Sequence, residues 1–309
     1  MSYKIFTGAC LLAACSFLFG CNIKGDTSTS TTTSKASEVK KEEPAPPPPP
    51  RQAPQPSTYS MRATKAYFTS GDSNITKAAK EILMAVNRAD ASNLKRLDSI
   101  LVPDNYSGDR AFYLPFPLQS AALKEIEKII LFSYSTQSFA AYEWGELVIS
   151  GPTSMGSKKH PTPVGLYFSN WKAEETISTF NDEWELKWNF NIENKEGIGF
   201  HQYELPGYPA SHSCLRLLED DAKFMYTWTE QWEIKGTDDI KAKGTPVIVF
   251  GVYPFGSKRP WFKLLTDPNA LNLTEAELAA VVNPFKLQIA TERTKRNQHL
   301  GRPEAITGE

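Results

Sequence analysis

The 309-residue sequence lacks an excess of either charge, with 34 basic residues against 35 acidic ones. That balance excludes a chain-wide basic surface for nucleic acid and an acidic, solvating polymer. Cysteine is scarce: Cys10, Cys15, Cys21 and Cys214 are all there is. Four thiols exclude a disulfide scaffold and a zinc protein with many thiolate ligands. Large aliphatic residues are almost missing from residues 22–60, where only Ile23 and Val39 exceed alanine. Such a stretch cannot bury enough apolar surface to fold alone. Elsewhere the composition is that of a globular protein, 40% hydrophobic and 22% charged.

What is present begins with Lys4, followed by residues 5–20, which carry no charge and are almost wholly apolar or small. This run is shorter than the roughly 20 residues of a membrane-spanning helix and fits a signal peptide over residues 1–20. It ends in Leu18-Phe19-Gly20-Cys21, which resembles a bacterial lipobox and makes Cys21 the expected lipidated residue. Cys15, after Leu12-Ala13-Ala14, is the alternative, but it would leave Phe17, Leu18 and Phe19 where a polar tether is expected. Residues 21–61 read as that tether. Residues 27–34 are all serine or threonine, and eight of the 22 prolines lie between Pro44 and Pro56. The expected location is the cell envelope, with the membrane reached through the lipid anchor.

Beyond the tether, Ile75, Ala79, Ile82, Leu83 and Val86 recur at helical spacing. Residues 62–126 read as a small helical region, and residues 87–103 weakly resemble half of a LysM peptidoglycan-binding module. From Ile129 the pattern turns to strands at 129–135, 139–142 and 147–149, with Trp144-Gly145 as a hairpin turn. Trp184, Leu186, Trp188, Phe190 and Ile192 alternate with Glu185, Lys187, Asn189 and Asn191, so one buried and one wet face are expected. Leu218, Ala222, Met225, Thr229 and Trp232 predict a helix opened by Glu219, Asp220 and Asp221, and residues 247–253 a buried strand. Thr274 and Glu277 have capping-box spacing before a helix that Pro284 interrupts. Arg293, Lys295 and Arg296 read as a solvated helix face. The expected class is mostly β with a few helices (α+β): a catalytic domain over 127–252 and a C-terminal helical extension over 253–309.

Cys214 is the one thiol outside the N-terminal segment. Three of the four histidines precede it, at 160, 201 and 212, and imidazole can accept a thiol proton. Backbone N–H groups at Ser213 and Cys214 can stabilise an oxyanion. Ser211-His212-Ser213-Cys214-Leu215-Arg216, with His201 upstream, resembles the signature of the bacterial L,D-transpeptidase catalytic domain. Thr162-Pro163-Val164-Gly165, Asp221-Ala222 and Gly244-Thr245-Pro246-Val247 agree with it further. Two features depart from the family pattern: Ser213 stands where glycine is usual, and only nine residues separate His201 from Ser211.

The resemblance implies a β-sandwich catalytic domain acting on peptidoglycan stem peptides without a cofactor. It implies Cys214 as nucleophile and His201 as the proton acceptor and donor. His212 and Ser211 would orient the turn, Arg216 would hold the loop or a substrate carboxylate, and Tyr203 would hydrogen-bond near the oxyanion. His160, before Pro161, reads as a solvent-facing loop residue. Zinc at His201, His212 and Cys214 is disfavoured because no acidic motif lies nearby. The acceptor stays open between a second stem (transpeptidase), water (carboxypeptidase) and a protein lysine (protein-to-wall ligase). A non-catalytic wall-binding lipoprotein is the competing class.

Overall fold

The computed structural model describes residues 51–71, 73–178, 184–237 and 239–302. The signal-peptide and lipidation readings, Cys21 included, lie outside the described residues. Contacts reach back to Arg51, inside the segment read as tether: its guanidinium bonds Asp109 at 3.1 Å and the carbonyl of Val148 at 2.5 Å.

The chain first forms β1 (Tyr59–Ala63), α1 (Thr64–Thr69), α2 (Lys77–Asn87), α3 (Ala91–Leu94) and β2 (Ser99–Pro103), with β1 antiparallel to β2. The α2 helix forms where the apolar spacing predicts it. Thr76 caps its first turn, and Arg88 closes it in the left-handed conformation at φ 56°. Its Leu83 packs with Leu94, Ile100 and Val102 in a small core, while Ile82 and Val86 reach the main one.

Nine strands form the main sheet: β3 (Lys128–Ser133), β4 (Ser138–Glu143), β5 (Glu146–Ser154), β6 (Gly165–Phe168), β7 (Lys172–Ile177), β8 (Glu185–Glu193), β9 (Ile198–Gln202), β10 (Leu215–Leu217) and, after α4 (Glu219–Trp228) and the small hairpin β11 (Glu233–Lys235) and β12 (Asp239–Ala242), β13 (Pro246–Phe250). Their order is β6-β13-β3-β4-β5-β10-β9-β8-β7. Trp144 and Gly145 turn the β4–β5 hairpin with φ of 51° and 81°, as a tight primed turn requires.

The sheet curls so that one face from both ends closes on a common core. Ile130 and Phe132 of β3 and Val247 and Val249 of β13 meet Phe190, Phe200, Leu215 and Leu217 from the other end, with Ala222 and Met225 of α4. Full burial of each such aliphatic or aromatic side chain contributes about 1.5–3 kcal/mol. Ile129, Leu131 and Ile248 point to the opposite face. There they are covered by α5 (Glu275–Val282) and α6 (Lys286–Leu300), through Leu278, Val282 and Ile289. Burial on both faces explains the unbroken apolar run in β3. The protein is thus α+β and sheet-rich, with a helical C-terminal extension.

Thr274 and Glu277 form the expected capping box, and Pro284 lies in the 3-10 turn between α5 and α6. Five expectations change. The strand expected over 247–253 ends at Phe250 and leaves Val252 exposed, and the region read as helical over 62–126 also carries the β1–β2 pair. The alternation in β8 fails after Lys187, because Trp188 adopts φ 55° and the register against β9 shifts. This bulge leaves Asn189 and Asn191 buried rather than wet. The α4 helix stops at Trp228, so Thr229 and Trp232 fall beyond it. Arg296 is not solvated: it is buried and donates to the carbonyls of Gln231 and Lys243 at 3.0 and 2.9 Å.

Candidate active site

The site forms where β9 runs parallel to β10, with Arg216 opposite His201. Paired residues share a sheet face, and so do residues two apart. His201 and Tyr203 therefore face the same way as Arg216 and Cys214, while Phe200, Leu215 and Leu217 enter the core. The pocket is lined by Cys214, His201, His212, Ser211, Arg216 and Tyr203, with Ser178, Trp184 and Leu186 completing its wall.

The segment ahead of β10 is pinned to the end of β5. Ser211 N donates to the Met155 carbonyl at 3.0 Å, and Ser157 N donates to the Ser211 carbonyl at 2.9 Å. Ser211 Oγ then donates to the Cys214 carbonyl at 2.6 Å, closing the turn from within. Thr162 ties it from outside: its hydroxyl donates to the Ser213 carbonyl at 2.9 Å and accepts from Gly156 N at 2.9 Å. A side chain at Gly156 would strike the backbone of residues 160–162, so glycine is required for that approach. Ser213 takes φ 80°, the region where glycine is unstrained. The position usually filled by glycine does demand that conformation. Ser213 Oγ donates to the Pro161 carbonyl at 3.2 Å, which offsets part of the strain.

His201 is 2% exposed. Its Nδ1 lies 2.9 Å from the Gln202 carbonyl. A carbonyl only accepts, so Nδ1 carries the hydrogen and Nε2 presents a lone pair. Nε2 is buried and has no partner among the described residues. Burial, with a smaller contribution from the Arg216 charge, lowers the imidazole pKa to about 4. Burial likewise raises the Cys214 thiol above its ordinary value, against the opposing pull of the Gly199 backbone N–H and of Arg216. Thiol and imidazole are thus both neutral at rest; they line the same pocket without a hydrogen bond between them, and the thiol donates to the Gly197 carbonyl at 3.9 Å.

Arg216 lies over the Tyr203 ring at 4.5 Å and donates weakly to the Glu204 carbonyl at 3.4 Å. It pairs with no carboxylate among the described residues. Tyr203 stands edge-on to His201, with ring centroids 6.0 Å apart. His212 sits between two rings, His160 at 4.4 Å and Trp184 at 4.9 Å. Burial and the neighbouring charge of His160 lower its pKa. His160 is therefore a half-buried part of the turn's packing rather than a solvent-facing loop residue. Sequence reasoning missed His160 and Trp184 because their contact with His212 spans separate loops and strands. Among the described residues no group of three or more histidine, cysteine, aspartate or glutamate side chains is placed to hold a metal ion.

Asp221, in the first turn of α4, is buried against Arg110 at 2.7 Å. This pair ties the 3-10 turn at Arg110–Tyr113 to α4, the helix that follows β10, and Arg110 also donates to the Ser150 carbonyl of β5 at 2.8 Å.

Residues 127–249 match the YkuD family model, the L,D-transpeptidase catalytic domain. This is the family the sequence resembles, over nearly the same stretch. Similar solved structures include L,D-transpeptidases from Stackebrandtia nassauensis (22% identity, 41% of this chain and 57% of that one, TM-score 0.34). Others come from Mycobacterium tuberculosis H37Rv (24%, 41% and 58%, 0.33) and Mycobacterium smegmatis (20%, 41% and 59%, 0.33). The chain spans less than two thirds of each of these structures. No curated protein matches the chain.

Proposed function

We propose that the chain is a peptidoglycan L,D-transpeptidase with Cys214 as nucleophile and His201 as its proton acceptor. The observation that carries this reading is one pocket, inside the segment that matches the family, holding a thiol and a histidine whose buried Nε2 has no partner among the described residues.

Because the resting pair is neutral, proton transfer accompanies attack rather than preceding it. The Cys214 sulfur bonds to the carbonyl carbon of the third residue of a stem peptide as its proton moves to His201 Nε2. The carbonyl π pair becomes an oxyanion, held by backbone N–H groups at the Ser213–Cys214 turn. As the oxyanion collapses, the C–N bond to the terminal D-Ala breaks, and that amine leaves with the proton from His201. An amine of a neighbouring stem then attacks the thioester, gives its proton to His201, and the C–S bond breaks. Sulfur recovers its proton and the new amide is the crosslink. Arg216, paired with no carboxylate among the described residues, is suited to a substrate carboxylate by a two-pronged hydrogen bond.

The reading includes export and a lipid anchor at Cys21, supported by the uncharged run 5–20 ahead of that cysteine and the proline-rich segment behind it. Among the described residues no helix is long and apolar enough to cross a membrane.

The test is mass analysis of muropeptides incubated with the parent protein and with Cys214→Ala. Crosslinks between third residues from the parent alone support the reading. Tripeptide without crosslinks would make water the acceptor, and equal products from both proteins would refute Cys214 as nucleophile.

A further inference from the structure

Thr162 contributes nothing to the pocket wall, yet it is 3% exposed and spends its hydroxyl on two backbone groups. One is the Ser213 carbonyl, which belongs to the same peptide unit as the Cys214 N–H. In a trans peptide these two groups point in opposite directions, and the described peptides are all trans. Fixing the carbonyl toward Thr162 therefore fixes the N–H away from it. Neither Gly156 nor Thr162 is among the residues that line the pocket of Cys214, His201 and Ser211.

We infer that Thr162 is a positioning residue that aims the Cys214 N–H at the oxyanion formed when Cys214 is acylated. The inference rests on the reading of Cys214 as an acyl-accepting nucleophile. Three observations converge on it. Ser213 holds φ 80°, so the peptide would relax elsewhere without a restraint. Ser211 clamps the next carbonyl, that of Cys214, at 2.6 Å, leaving the Ser213–Cys214 peptide as the unit that Thr162 must hold. Gly156, the other partner, cannot shift outward without losing its approach to residues 160–162.

In a variant that still folds, a change that merely altered access to Cys214 would affect all its chemistry alike. A residue that aims an oxyanion donor affects only reactions that pass through an oxyanion. Acylation by the β-lactam imipenem does so. Sulfur bonds to the lactam carbonyl carbon, the carbonyl oxygen takes up charge, and the ring C–N bond breaks, with the proton passing to nitrogen. Alkylation by iodoacetamide displaces iodide at a saturated carbon and forms no oxyanion.

The experiment measures both rates on Cys214 by intact mass, for the parent, Thr162→Val and Thr162→Ser. Valine keeps the shape and removes both hydrogen bonds, whereas serine keeps the hydroxyl. The expected result is imipenem acylation slowed about tenfold or more in Thr162→Val, less than the roughly 100- to 1000-fold for outright loss of an oxyanion donor because the N–H is misaimed rather than removed. Alkylation stays within about twofold, and Thr162→Ser restores acylation. Both rates are read on variants whose circular dichroism and cooperative unfolding match the parent, because an unfolded chain would alkylate at its exposed thiol without being acylated. Thr162→Ala replaces valine should that variant prove insoluble, with the same ratio expected. Equal loss of both rates, or loss of neither, overturns the inference. A parent that is alkylated but never acylated overturns the functional reading, and the inference falls with it.

Discussion

His201 lies directly opposite Arg216 in the parallel register of β9 and β10, and Cys214 continues the same face two residues upstream. Three chemically distinct groups converge because the side-chain period of a strand is two. The pKa directions at this convergence dictate how it titrates.

The first consequence concerns stability. His201 has an ordinary value of 6.5 and a folded value of about 4, so the unfolded chain binds its proton more readily. Stability from this group is fully present above pH 6.5 and is lost as pH falls toward 4. The full loss is on the order of 3 kcal/mol, and the slope is at most about 1.4 kcal/mol per pH unit. Urea unfolding between pH 7 and pH 4 should show this slope in the parent and a shallower one in His201→Gln. Identical slopes would contradict a buried, neutral His201.

The thiol makes a second, kinetic prediction. Burial raises the Cys214 pKa, so little thiolate exists at neutral pH. Iodoacetamide alkylation should accelerate through the alkaline range without levelling off below about pH 9, the ordinary region for cysteine. A plateau near pH 6 would mean a preformed thiolate–imidazolium pair, contrary to the burial at both groups.

Ser213 offers a test of strain. At φ 80° glycine relieves about 1 kcal/mol or more, but loses the bond from Ser213 Oγ to the Pro161 carbonyl. Alanine loses the bond and keeps the strain. Thermal unfolding should rank Ser213→Gly above Ser213→Ala by about 1–2 kcal/mol, with acylation of Cys214 retained in the glycine variant. The reverse order would show that the turn does not hold this conformation in solution.

The Arg110–Asp221 pair predicts a larger effect. Asp221 is 2% exposed, and burial already raises its carboxyl pKa against the pull of Arg110. Arg110→Ala leaves that carboxylate without its partner and should cost about 3–5 kcal/mol in urea unfolding. Adding Asp221→Ala should return part of the loss. A single-variant cost below about 1 kcal/mol would show that the pair is not closed in solution.

Much of this was legible in the sequence. The Ser211–Arg216 motif, with His201 upstream, identified the family whose model matches 127–249. Helical spacing placed α2, the capping box placed α5, and the unbroken apolar run placed β3. The illegible parts depend on contacts between distant segments. The β8 bulge at Trp188 reversed the expected wet face of Asn189 because register against β9 overrides local alternation. Arg296 looked like part of a charged surface, but the carbonyls of Gln231 and Lys243 receive it across the fold. Thr162 stood out only as part of a Thr-Pro-x-Gly match, and its two backbone partners, at 156 and 213, are visible only in the fold.

The central claim is that Cys214 is an acyl-accepting nucleophile. Its most direct test is intact mass of the parent and of Cys214→Ala after exposure to imipenem, with peptide mapping of any adduct. The account predicts one acyl adduct on the parent, mapped to Cys214, and none on Cys214→Ala. An adduct on both proteins, or on neither while the parent thiol still alkylates, would contradict it.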